Sequence, residues 1–185
     1  MLAGNLFVIS GPSGSGKGTI VSRLVQELPN VWVSVSATTR TPRLGEVDGV
    51  SYFFKSREEF DDLVKNDGML EYATYAGNSY GTPRESVEEH MKQGDDVILE
   101  IERQGAFQVR DRMPEAHLIF IEPPSIEELE RRLRNRGTED ENVIYERMNT
   151  AKVELQYKME YDVRVVNDDL DTAVSQVVDY IKSAD

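Results

Sequence analysis

Apolar positions along the chain follow two spacings that alternate with one another. Apolar runs lie at residues 6–9, 97–101 (with Glu100 within it), 118–121 and, more weakly, 163–166. They are short and rich in β-branched side chains, as strands buried on both faces of a sheet are. Other apolar residues recur at helical spacing. One set is Ile20, Val21, Leu24, Val25 and Leu28, and another is Ile126, Leu129 and Leu133. A third stripe joins Ile144, Met148, Ala151, Leu155 and Met159, and a fourth joins Val174, Val177, Val178 and Ile181. Strands alternating with helices predict an α/β fold, a parallel sheet core flanked by helices on both faces.

Two helix starts are marked. Ser125 stands three residues before Glu128, and Thr138 three before Glu141, the spacing of a capping box. Gly137 suits a left-handed stop for the first of these helices. Residues 36–83 break the alternation. They are rich in Thr, Tyr, Gly and Arg with short strand-like pieces, which predicts a small inserted subdomain. The expected organisation is one domain over residues 1–185. Its core covers about 1–35, 84–133 and 152–185, the insertion about 36–83 and a helical lid about 134–151.

The length, 185 residues, suits one domain of this size. The chain has no Cys, which excludes a disulfide framework and thiolate chemistry. No apolar run approaches the ~18 residues of a membrane span, and the first ten residues lack the basic start of a signal peptide. A cytoplasmic location is expected. Net charge is −13, from 21 basic and 34 acidic residues. That surface repels nucleic acid and anionic membranes, so neither is expected as a partner. Anionic small molecules then require a local concentration of cations. Arg131, Arg132, Arg134 and Arg136 supply one, although a solvated helix face accounts equally well for the cluster by itself. His90 and His117 have no partners at metal-ligand spacing and read as structural.

The most specific local signal is GPSGSGKGT, comprising Gly11, Pro12, Ser13, Gly14, Ser15, Gly16, Lys17, Gly18 and Thr19. It follows a predicted strand and opens a predicted helix, the context of a phosphate-binding loop. Its backbone amides can line a nest for phosphate oxygens, the helix adds the positive end of its dipole, and Lys17 adds a mobile charge. Gly18 stands where the pattern expects the hydroxyl that reaches Mg²⁺, with Thr19 one place later. The protein ligand of the metal therefore stays open. Thr19 is one candidate, and nucleotide oxygens and water would supply most of the coordination.

Beyond the loop, the sequence resembles the guanylate kinase family nearly end to end. The resemblance rests on SATTRTPRLGEVDGVSYFF at 36–54, LEYATYAGNSYGTPRE at 70–85, LEIERQGAFQVR at 99–110, RRLRNRGTED at 131–140 and Asn167. It implies transfer of the γ-phosphoryl group of ATP to GMP, and to dGMP as well, with Mg²⁺ as cofactor and these nucleotides as partners. By the same resemblance, Arg40, Arg43, Tyr52 and Tyr80 hold the GMP phosphate. Ser36 and Thr82 meet the guanine 6-oxo group, and Glu71 and Glu102 meet the ring nitrogens. Lys17, Arg132, Arg136 and Arg147 act on the transferring phosphoryl group, and Asn167 lies near adenine. Many relatives carry Asp at the position of Glu102. Arg132 and Arg136, four apart, would share a helix face. An AMP-specific kinase should lack the TTRxPR and GNSYGT stretches. A binding scaffold that has lost catalysis typically loses the loop or the arginines, and here Lys17, Arg136 and Arg147 are present.

Overall fold

The computed structural model describes residues 4–135 and 140–184. In chain order the elements are β1 (Leu6–Ser10), α1 (Lys17–Glu27), β2 (Val31–Val33), β3 (Ala37–Thr38), β4 (Phe53–Phe54) and α2 (Arg57–Lys65). They continue as β5 (Met69–Tyr75), β6 (Asn78–Pro83), α3 (Arg84–Gln93), β7 (Asp96–Glu100), α4 (Arg103–Arg112) and β8 (His117–Glu122). The chain closes with α5 (Ile126–Asn135), α6 (Glu141–Gln156), a 3₁₀ turn (Lys158–Glu160), β9 (Val163–Val166) and α7 (Leu170–Ser183).

Strand pleating sorts the apolar runs onto two faces. Phe7, Ile9, Ile98, Ile119 and Ile121 point to one side, where Ile20 and Leu24 of α1 and Val174 and Val177 of α7 cover them. Leu6, Val8, Val97, Leu99, Leu118 and Phe120 point to the other, against Val87 and Met91 of α3 and Val109 of α4. Burial on both faces explains why these strands read as continuous apolar runs. The strand order is β2-β7-β1-β8-β9, and every neighbour pair is parallel. β1 is central, between strands that come much later in sequence. The loop leaving its carboxyl end therefore opens into the crevice where ligands sit in sheets of this kind.

A second sheet, ordered β4-β3-β6-β5, occupies residues 37–83. It packs Ala37 and Met69 on Phe60 of α2. Its β5–β6 pairing shifts register between Met69 and Glu71. Such an irregularity re-aims a side chain, here one step before Glu71.

Three expectations are corrected. Val25 is 47% exposed, because α1 presents only Ile20, Val21 and Leu24 to the sheet. Met159 is 71% exposed, since α6 ends at Gln156 and the turn that follows carries Met159 off the stripe. The cap of α6 is Asp140, whose side chain accepts from the Asn142 and Val143 amides. The expected cap Thr138, the stop at Gly137 and the catalytic candidate Arg136 lie outside the described residues. Ser125 does accept from the Glu128 amide, at 3.0 Å.

The end of α6 is tied to the sheet by an ion pair. Lys158 Nζ lies 2.5 Å from Glu122 Oε2, and the Glu122 side chain is only 10% exposed. Removing one partner of a buried pair leaves an uncompensated charge. Lys158→Met is expected to lower stability by about 3 kcal/mol in urea titrations at neutral pH. A loss within error of zero would show that Glu122 is adequately solvated without it.

Candidate active site

Residues 11–16 form the turn between β1 and α1, and Lys17 opens the helix. No side chain caps α1, and its first turn holds no acidic residue. Its leading amides are therefore available, with the positive end of the helix dipole behind them. Lys17 Nζ donates to the carbonyls of Gly11 and Pro12, so it folds over its own loop. The Ser15 hydroxyl is buried in the loop without a hydrogen-bond partner among the described residues. The exposed Gly18 and Thr19 follow in the first turn of α1.

Asn167 fixes this loop. It follows β9, is 6% exposed, and donates from Nδ2 to the Ser15 carbonyl at 2.8 Å. A Cβ on Gly16 would lie 2.2 Å from that Nδ2, and Gly16 has φ 94°. Only glycine meets both demands. The Asn167 amide is thus committed to the loop backbone, a structural duty beyond the expected position near adenine.

Across the crevice lies a cavity of about 370 Å³. Ser36, Tyr52, Glu71, Tyr80 and Glu102 are among its lining residues. Glu71, on β5, is 7% exposed and faces Thr82 across the β5–β6 ladder. Thr82 Oγ1 donates to Glu71 Oε1 at 2.7 Å. A Cβ on Gly105 would lie 2.7 Å from Glu71 Oε2, so the bare first turn of α4 makes room for the carboxyl. Burial pushes the Glu71 carboxyl up; the Thr82 hydrogen bond and the charge of Arg112 oppose the shift, while Glu102 adds to it. Tyr52 and Tyr80 meet edge to face at 6.2 Å beside Arg40, whose Cζ is 5.4 Å from the Tyr52 ring centroid. Arg43 is exposed on the loop that follows.

The cations come from α5 and α6. Arg147 Nη1 donates to Ser13 Oγ at 2.6 Å, which brings α6 onto the phosphate loop. Arg132 bonds Glu128 through Nε at 2.8 Å and the Asn167 carbonyl through Nη2 at 3.0 Å. Arg131 and Arg134 instead pair with Glu128, Glu130 and Glu141 on the solvent side.

Four residues in or beside this site receive no role from the sequence, although Glu46, Glu100 and Gly105 lie within the stretches 36–54 and 99–110. Glu46 binds Arg40. Gly105 makes room for Glu71. Glu100 ends β7 with its carboxylate 3.6 Å from where a Cβ on Gly18 would stand. Its acid-after-apolar-strand position was the available clue. Glu154 lies seven residues after Arg147 on α6, hence on the same helix face. Burial raises its carboxyl from 4.5 to about 7, and Glu102 adds to the shift, while Lys17 and Arg103 oppose it. No group of three or more His, Cys, Asp or Glu could hold a metal among the described residues. Glu100 and Thr19 offer sparse, hard oxygen donors beside the loop. This set fits Mg²⁺ held largely by nucleotide oxygens and water.

The guanylate kinase family model matches residues 3–184. The guanylate kinase of Synechococcus sp. (strain CC9311) is 55% identical over 170 residues, 92% of this chain and 90% of that one. The chain belongs to the guanylate kinase family. A further guanylate kinase, from Prochlorococcus marinus, is 54% identical over 178 residues, 96% of this chain and 97% of its own. The crystal structure of guanylate kinase from Anaplasma phagocytophilum aligns with a TM-score of 0.75 at 35% identity, covering 98% of this chain and 86% of that one. Like other kinases of this family, the chain is built to bind nucleotides. No helix among the described residues is long and apolar enough to cross a membrane.

The raised carboxyl of Glu154 makes stability depend on pH. Its folded-state value lies above the ordinary 4.5, so the native state holds the proton more tightly than the unfolded chain does. Its contribution is therefore most favourable below 4.5 and is lost as pH rises to about 7. Glu154→Gln is expected to gain stability relative to the parent across that window, read from melting temperatures at stepped pH. Parallel curves for the two proteins would refute the burial of this carboxyl.

Proposed function

We propose that this chain transfers the γ-phosphoryl group of ATP to GMP, giving ADP and GDP. The observation that carries this reading is Glu71, a buried carboxylate at the wall of the cleft beside the phosphate loop, with one hydroxyl partner. Guanine presents two adjacent donors, the N1 hydrogen and the 2-amino group, and a carboxylate offers two acceptors at matching separation. Adenine offers a bare N1 lone pair, which the carboxylate repels. Attraction to one base and repulsion of the other make the selectivity. Ser36, Thr82 and Glu102 surround the same base. Arg40, Arg43, Tyr52 and Tyr80 would hold its phosphate.

Phosphoryl transfer needs alignment and positive charge more than covalent help. The acceptor is already a phosphate oxygen anion, so no general base is required. Lys17 would exchange the Gly11 and Pro12 carbonyls for the β- and γ-phosphate oxygens. Arg147 is delivered to the loop by α6, and Arg132 stands beside the Asn167 carbonyl. Together with Arg136 they would neutralise the charge that spreads over the moving group. Residues 134–151 would act as the lid that brings these arginines in and excludes water. Mg²⁺ would be held by nucleotide oxygens and water, with the Glu100 and Thr19 oxygens beside it, and would supply further charge neutralisation.

A coupled ADP-release assay over GMP, dGMP, AMP, CMP and UMP is expected to show turnover with the guanine nucleotides. Equal use of AMP would overturn the reading. Glu71→Gln turns one acceptor into a donor that faces a guanine donor. It should lower kcat/KM for GMP by ~100-fold, the loss of about two charge-assisted hydrogen bonds. The pH dependence has a definite sign. Burial raises the Glu71 carboxyl, so its ionised form is lost as pH falls through a value above the usual carboxylate range. The preference for GMP over AMP should therefore narrow on acidification in the parent and stay flat in Glu71→Gln.

Gly105→Ala separates site from fold. A helix gains up to ~1 kcal/mol from Ala in place of Gly, but the new Cβ would crowd Glu71 Oε2. The new Cβ would also stand 3.2 Å from Ile101 Cδ1, so helix gain and crowding should offset to within about 1 kcal/mol, while kcat/KM for GMP drops by about tenfold or more, the cost of a misplaced contact. Unchanged kinetics would mean that α4 does not set the position of Glu71.

A further inference from the structure

The inserted sheet ends at β5, so one side of that strand faces no further strand. Such an edge presents backbone amides and carbonyls that lack a ladder partner. At Tyr72 both groups are taken by one side chain of α4. The Tyr72 amide donates to Gln108 Oε1 at 3.2 Å, and Gln108 Nε2 donates to the Tyr72 carbonyl at 3.0 Å. The Gln108 amide thus does what the peptide groups of a neighbouring strand would do. Two residues back along β5, the Leu70 carbonyl accepts from Arg112 Nη1 at 2.7 Å. The same Nη1 donates to Gln108 Oε1 at 3.3 Å. The residue between Leu70 and Tyr72 is Glu71.

The helix that makes these bonds is fixed from its other side. Ala106 and Val109 of α4 are fully buried against the main sheet. Gln104 and Gly105 line the base cleft, and Gln108 and Arg112 follow Gln104 at one and two turns along the same helix face. Protection of a strand edge would be served by bonds anywhere along β5. The three bonds from Gln108 and Arg112 to β5 all fall on the two neighbours of Glu71. The register irregularity between Met69 and Glu71 adds a reason, because β6 holds this stretch less firmly than a regular ladder would.

We infer that Gln108 is a positioning residue for base selection: by holding both peptide groups of Tyr72 against α4, it fixes the plane of the neighbouring Glu71 carboxylate. This rests on the reading that Glu71 takes the N1 hydrogen and the 2-amino group of guanine. Two donors met at once need the carboxylate in their own plane, whereas a single donor tolerates a rotated one. Gln108 acts through Glu71 and touches no nucleotide. Arg112 shares the grip through Leu70, but burial works against the ionised form of Glu71 and the charge of Arg112 works for it. Variants at Arg112 would therefore mix two effects. Gln108 is neutral and separates orientation from charge.

The test compares Gln108→Ala, Gln108→Asn, Glu71→Gln and the double variant Gln108→Ala/Glu71→Gln with the parent by steady-state kinetics. The acceptors are GMP and inosine monophosphate, whose base keeps the N1 hydrogen but lacks the 2-amino group. Gln108→Ala is expected to lower kcat/KM about tenfold for GMP and less than about threefold for inosine monophosphate, with KM for ATP within about twofold of the parent. The preference for GMP thus narrows, which a loss of stability alone would not produce. If baring the strand edge makes Gln108→Ala aggregate, Gln108→Asn, whose amide is one methylene short of Tyr72, should show the same narrowing. In the Glu71→Gln background, loss of Gln108 should change kcat/KM for GMP little further, because residues that act through one another are not additive.

Equal losses for the two acceptors would overturn the inference and make Gln108 a guard of the sheet edge. Full additivity in the double variant would overturn it too. If Glu71→Gln narrows the preference for GMP and neither Gln108 variant does, the reading of Glu71 stands and Gln108 has no positioning role. If Glu71→Gln itself leaves the preference unchanged, the reading of Glu71 fails and this inference with it.

Discussion

The hydrogen bond from the Asn167 side chain to the Ser15 carbonyl is the constraint on which the site depends. A phosphate nest aims most of its backbone amides at a ligand rather than at protein, so beyond the single Ser15 amide bond to the Pro12 carbonyl at 3.0 Å the loop's own amides hold little of it. It must be held by its carbonyls. Asn167 takes one of them, and Lys17 takes those of Gly11 and Pro12. The Asn167 amide in turn donates to the Glu122 carbonyl at the end of β8. The Asn167 carbonyl accepts from Arg132 of α5. Loop, sheet and the arginine-bearing helix thus meet at one residue. The anchor leaves no room for a side chain at position 16.

The next constraint is electrostatic. A chain of net charge −13 must collect anions, and it does so by keeping arginines in fixed pairs with carboxylates. Arg40 is oriented by Glu46, and Arg132 by Glu128. Such pairing lowers the net field but sets direction, and a guanidinium recognises phosphate by direction as much as by charge. The arginines on the solvent side, Arg131 and Arg134, are paired in the same way on exposed helix turns. There the exchange with water makes the pairs worth little.

Much of this was legible in the sequence, for reasons that differ between parts. Strands β1, β7 and β8 are buried on both faces, and so appear as apolar runs; β9, at the sheet edge with only Val165 buried, gives a weaker one. β2 and β3, three and two residues long and defined by partners far away in sequence, have no such pattern. The loop GPSGSGKGT is local and could be read directly. Glu71 and Thr82 could be named only by resemblance, because their meeting depends on the β5–β6 register and the irregularity before Glu71. Gly105 lies within the stretch 99–110 but receives no role from it, and Glu154 lies outside every motif. One matters for the atom it lacks, and the other for a burial that only the packing of α6 creates. Asn167 was named, but its hydrogen bond to Ser15 bridges 152 positions that no local pattern connects.

The arrangement also explains why four carboxylates can converge on a site for anions. Glu71 and Glu102 stand at the base cleft, Glu100 beside the loop, and Glu154 faces both Glu102 and Lys17. Left to themselves the carboxylates conflict: Glu102 repels both Glu71 and Glu154, and burial makes those two hard to ionise. The fold sustains this because the helices that carry or seat them are anchored elsewhere: α4 by Val109 under the sheet, and α6 by Ile144, Met148 and Ala151 against α5. Each ligand group then relieves one part of the conflict. On the proposed function, guanine donors would meet Glu71, a divalent cation would meet Glu100, and Lys17 would move from the loop carbonyls to phosphate. Where each ligand lowers the electrostatic cost of the next, binding would be cooperative. The acceptor base is then recognised by the same change in charge that completes the phosphate site. On this view the inserted sheet and the phosphate loop are coupled through carboxylates rather than through a shared hydrophobic core.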